Sequence, residues 1–128
     1  MHVRVSLAAW EVDCCQRLPE VGDAVAWPLQ WSDVPDHLGA FEIRWSARAV
    51  ALGRQDAWEV GVDRGVVLTR GGLRAWWTGP DTDTVPRRGL LVVQAHLGVP
   101  SAVPETRGRA TGVEEADDGW LVGVDVDT

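Results

Sequence analysis

Apolar and polar residues alternate with a period of two along much of this chain, the spacing of a strand that buries one face. The clearest stretch is Phe41-Glu42-Ile43-Arg44-Trp45-Ser46-Ala47-Arg48-Ala49, apolar at every odd position and polar at every even one. Val50 and Leu52 then carry the apolar series out of phase, which predicts a β-bulge near Ala49. A similar slip, where Val3, Val5 and Leu7 give way to Trp10 and Val12, predicts a bent strand around Ala8-Ala9. Trp120, Val122, Val124 and Val126 predict a closing strand.

Between these lie three shorter apolar runs, Trp58 to Val62, Val66 to Leu68 and Leu73 to Trp77, each bounded by Gly or Asp. Gly71-Gly72 reads as a hairpin turn. Gly89 to Leu97 is apolar on both faces in its first half and reads as a central strand, with a short buried helix as the weaker alternative. Long loops are expected at Pro28 to Gly39, Gly79 to Arg88 and Pro100 to Arg107. No window sustains a capped helical stripe, and valine alone supplies twenty residues. The expectation is an all-β single domain over residues 1–128 with little helix, either a small antiparallel barrel or a two-sheet sandwich. The barrel is preferred, because closure removes exposed edges and indoles can fill a small interior.

Composition adjusts this reading. The 128 residues are 45% apolar, enough for a core without metal or disulfide staples. All twelve basic residues are Arg, and Lys, Asn and Tyr are missing, the mark of a GC-rich bacterial genome rather than of selected phosphate recognition. The eight Trp partly replace absent Tyr and scarce Phe as aromatic volume. The net charge is −7, with Glu114, Glu115, Asp117, Asp118, Asp125 and Asp127 concentrated near the C-terminus. That balance disfavours nucleic acid, whose nonspecific affinity is electrostatic, unless Arg70, Arg74, Arg87, Arg88, Arg107 and Arg109 converge on one face. With neither a long apolar span nor a leader pattern, the sequence predicts a cytoplasmic protein and no membrane partner.

The segment Trp10-Glu11-Val12-Asp13-Cys14-Cys15, followed by Val21-Gly22-Asp23-Ala24-Val25-Ala26-Trp27, resembles the opening of an uncharacterised bacterial domain family of unknown function. Gly119 to Val126 resembles that family's end. The family's Gly after the cysteines and its aromatic before the Val-Gly-Asp turn are replaced here, at or near Gln16 and Leu18. The resemblance implies a shared β-rich fold and carries no reaction or ligand. The Val-Gly-Asp-x-Val turn is also similar to that of SH3-like and related small barrels. There, Gly22 can take positive φ, Asp23 can bond its own turn, and Val21, Val25 and Trp27 share a side.

Five residues are candidate site residues. Cys14 and Cys15 are adjacent and expected to be reduced in the cytoplasm. A metal would need two further ligands from His2, His37 and His96, which lack metal-ligand spacing, so neither metal nor cofactor is expected. Trp76 and Trp77 are neighbours on a strand: one fills the core, and the other needs a loop cap, a subunit or a ligand. His96 is the one plausible general base, with a core or interface role as the simpler reading. The residues point to a non-catalytic module that binds a protein or a second copy of itself. The alternative is a small-ligand or enzymatic pocket at a barrel mouth lined by Trp and His.

Overall fold

The computed structural model describes residues 1–14, 17–94 and 98–128. Among these residues ten strands form the frame: β1 (His2–Ala8), β2 (Ala24–Trp27), β3 (Leu29–Ser32), β4 (Phe41–Glu42), β5 (Ser46–Ala51), β6 (Arg64–Arg70), β7 (Leu73–Trp77), β8 (Arg88–Val93), β9 (Thr106–Ala116) and β10 (Gly119–Val126). Two short helices, α1 (Ala9–Cys14) and α2 (Arg54–Val60), and a 3-10 turn (Thr82–Thr84) complete it. The all-β reading holds. Nine strands run in the order β2-β9-β10-β1-β8-β3-β7-β6-β5, and β4 pairs β8 off that path. The sheet is mixed rather than purely antiparallel, because β1 pairs β8 and β3 pairs β7 in parallel. None of the described helices is long and apolar enough to cross a membrane.

The sheet has to curl. Only Pro28 separates β2 from β3, yet four strands lie between them in sheet order. A residue spans at most about 3.6 Å of chain, so the first and sixth strands of that path must approach each other. The result is a half-barrel whose seam carries a second stitch. The buried Thr106 hydroxyl accepts from the Arg74 backbone N–H and donates to the Arg74 carbonyl, both at 2.8 Å. One side chain thus serves both polar groups of a strand residue that has no ladder partner there. Thr106→Val keeps the shape and removes both bonds. We expect it to cost about 1–3 kcal/mol in a denaturant titration, and Thr106→Ser to recover most of that.

Val3, Val5, Leu7, Trp27, Leu29, Trp31, Leu68 and Leu91 meet in the concave core, with Phe41, Ile43, Trp45 and Ala47 packed against it. The odd positions from Phe41 to Ala47 therefore share one side, as their period requires, while Ala49, the last of the alternating stretch, is exposed. The phase change at Ala49 has a different cause from the expected bulge. The β5–β6 ladder runs unbroken from Ser46↔Thr69 to Ala51↔Arg64. Val50 and Leu52 belong instead to a second apolar cluster with Val67, Trp76 and Val103. Apolar residues switch sides because a different face becomes covered. A register shift does occur, between Gly123 and Val124 of β10, where Thr111 of β9 is the extra residue.

Other local expectations are corrected in the same way. The strand at Ala8 does not bend onward, since Trp10 and Val12 lie on α1. Trp58 to Val60 is helical, and Gly61 ends α2 at φ 89° with its N–H donating to the Ala57 carbonyl. Five residues of alternation are too few to separate a strand from one and a half helical turns. Pro28 to Gly39 is a loop only from 33 onward, because Leu29–Ser32 is β3. Gly22 takes φ 94° and the Asp23 carboxylate accepts from the Glu20 N–H, as the turn chemistry predicts, but Val21 is exposed rather than aligned with Trp27.

Candidate functional site

A concavity lies where the chain parts from β8. Phe41 and Glu42 pair with Gly89 and Arg88, and the Ile43 N–H still reaches the Arg87 carbonyl at 3.1 Å. From Ser46 the chain belongs to β6 instead, and a cleft of about 440 Å³ opens between residues 42–47 and the loop that precedes β8. Its apolar lining is Ile43, Trp45, Ala47, Val85 and Pro86. Residues 43–45 lie between β4 and β5 and belong to neither strand, so consecutive side chains from Glu42 to Trp45 all reach the cleft.

The opposite wall is pinned at several points. Asp81 accepts from the N–H groups of Asp83 and Thr84, at 3.0 and 3.1 Å, and so caps the 3-10 turn. The Trp77 indole N–H donates to the Thr84 hydroxyl at 3.1 Å, and the Trp31 indole N–H donates to the Pro86 carbonyl at 2.9 Å. Trp31 also meets Trp45 edge to face at 5.3 Å and Phe41 at 5.4 Å. Floor and wall thus hang on one buried indole.

Polar groups at the rim are unevenly balanced. Glu42, Arg44, Arg87 and Thr82 line the cleft. Arg70 approaches from β6 and donates to the Arg44 carbonyl at 3.5 Å. The two ion pairs among the described residues, Met1 with Asp125 and Arg17 with Asp23, engage neither Arg44 nor Arg87. The Trp45 indole N–H is buried and has no acceptor among the described residues. An N–H so placed costs on the order of 1–3 kcal/mol until something accepts from it.

A second surface feature stands on the hairpin that joins β5 to β6. No residue of α2 is buried, and Trp58 is 83% exposed. The helix is tied down from one side by the Ser101 hydroxyl, which donates to Asp56 at 3.0 Å. Trp58 takes no part in that contact.

The residues singled out from sequence fall elsewhere. Trp76 is fully buried in the outer cluster, and its indole N–H has no acceptor among the described residues. Trp77 is half-buried and capped by the loop through Thr84, so it stands behind one wall of the cleft without lining it. Cys14 ends α1, while Cys15 and His96 lie outside the described residues. His2 shares a hydrogen bond with Thr111, and His37 accepts from the Gly39 N–H. Among the described residues no group of three or more His, Cys, Asp or Glu is placed to hold a metal ion. The cleft residues Arg44, Trp45 and Arg87 were missed as site residues, as was Trp58. The Gly53 and Gly61 flanks around Arg54-Gln55-Asp56-Ala57 were a usable helix signal for the last.

No curated protein and no solved structure matches the chain. The match that does exist covers nearly the whole curled sheet, from β1 into β10, and agrees with the resemblance of both ends to a domain family without assigned activity. Over residues 1–123 the chain matches, and belongs to, DUF6578, a family of unknown function.

Proposed function

We propose that this chain is a non-catalytic protein-binding module that meets its partner, in the simplest case a second copy of itself, through the hairpin β5-α2-β6. The observation that carries the reading is Trp58, 83% exposed on a helix that buries none of its residues. Single exposed aliphatic residues are ordinary, but an indole has the largest apolar surface of any side chain and is enriched where binding energy concentrates. The same hairpin offers an edge. Among the described residues β5 pairs only with β6, and its Ala47, Ala49 and Ala51 are small enough for another strand to approach.

Light scattering on chromatographed protein over a range of concentrations tests self-association. A dimer that Trp58→Ala converts to monomer, with the melting curve unchanged, supports the reading. The stability change expected from this surface substitution is within about 0.5 kcal/mol. Monomers from both proteins at every concentration would remove self-association.

A further inference from the structure

We propose that the cleft between residues 42–47 and 82–87 is a binding site for a small organic monoanion, a carboxylate carried on a planar apolar body. This goes beyond the protein-binding reading and uses different residues. The floor argues for the apolar body. Ile43, Trp45, Val85 and Pro86 offer flat and branched surface, and a volume of about 440 Å³ falls in the range of small-molecule pockets. An aromatic plane against an indole gains from stacking beyond its buried area.

The rim argues for the charge. Arg44 and Arg87 against Glu42 leave one net positive charge on the lining, in a protein whose total charge is −7. With 19 acidic residues in the chain, neither guanidinium is matched to a carboxylate among the described residues. Other arginines are occupied: Arg88 donates to the Pro35 and Ala40 carbonyls, and Arg109 to the Gly22 carbonyl. Guanidinium is the side chain best suited to a carboxylate, because its planar fork can donate two parallel hydrogen bonds.

Cinnamate and its neutral isostere cinnamamide are the probes, followed through the indole N–H signals in nuclear magnetic resonance, with Trp45→Phe assigning the Trp45 signal. Cinnamate is expected to shift the Trp45 signal saturably and to bind about tenfold more tightly than cinnamamide. Arg44→Gln and Arg87→Gln should each weaken it about threefold, as expected for exposed ion pairs. Both side chains are exposed, so these variants should keep the wild-type melting curve. If either fails to fold, the salt dependence of cinnamate binding to the unmodified chain decides in its place. Equal affinity for the two probes, indifference to both substitutions or to salt, or no saturable shift up to the solubility limit would each overturn the proposal. The last result would also be that of a cleft filled only by a partner protein's segment. Because Trp58→Ala leaves the cleft intact, cinnamate binding and self-association fail independently.

Discussion

Trp31→Ala is expected to lower stability by about 3–5 kcal/mol, the range for truncating a large buried aromatic. Trp31 is fully buried on β3, makes edge-to-face contacts with Phe41 and Trp45, and donates to the Pro86 carbonyl. Its removal leaves a cavity, costs two aromatic contacts and frees the loop wall of the cleft in one step. Domains of this size have total stabilities of about 5–15 kcal/mol, so the loss is a large fraction of the whole. Thermal unfolding should show a midpoint depressed by roughly 10–20 °C. Trp31→Phe separates the causes, since it keeps ring packing and loses the hydrogen bond. It should cost no more than about half as much, and a full loss from Trp31→Phe would shift the weight from cavity to hydrogen bond. A midpoint for Trp31→Ala within a few degrees of wild type would mean that the indole does not hold the core together.

Gly72→Ala should be nearly as damaging, at about 3 kcal/mol, although it adds one methyl group to a turn. Gly71-Gly72 joins β6 to β7 as a two-residue turn with positive φ confined to Gly71, at 57°, the pattern of a type II′ hairpin. Gly72 needs no positive φ, so its requirement is spatial. A Cβ there would run into the Asp127 carbonyl oxygen, which is backbone and cannot rotate away. The hairpin would have to lift from the end of β10. Gly71→Ala meets no such backbone obstacle, since the nearest atom to its Cβ is the Met1 side chain at 3.7 Å. Its penalty is conformational and is expected to stay near 1 kcal/mol. Chemical denaturation of the two variants side by side measures the contrast. Equal losses would show that turn conformation, and not the approach of β10, dictates glycine at 72.

The path of the chain around the cleft explains why the site was harder to read than the fold. Arg44 and Arg87 are 43 positions apart in numbering and meet only because β4 pairs β8. In the sequence, Arg44 is one polar member of an alternating strand and Arg87 one arginine in a pair within a loop. Neither carries a spacing that marks a ligand. Trp76-Trp77 drew attention because adjacency on a strand forces the two to opposite faces, and that inference holds: one packs in the outer cluster, the other against the inner core. Adjacency could not reveal that both faces are covered.

Local sequence by itself determined that Phe41, Ile43, Trp45 and Ala47 would pack together, that Gly71-Gly72 would turn, that the run from Gly89, apolar on both faces in its first half, would be central, as β8 is, and that Trp120 to Val126 would form a strand. Those are consequences of local geometry, since a strand's side chains are sorted by parity and a turn by the residues that tolerate it. Tertiary structure alone decided which face each stretch buries, that Pro28 and Thr106 draw distant strands into a half-barrel, and that two arginines and an indole share a cleft. The reason is that sheet order and curvature arise from contacts between residues far apart in the chain. A period of two identifies a strand's faces but leaves open which neighbours they will meet.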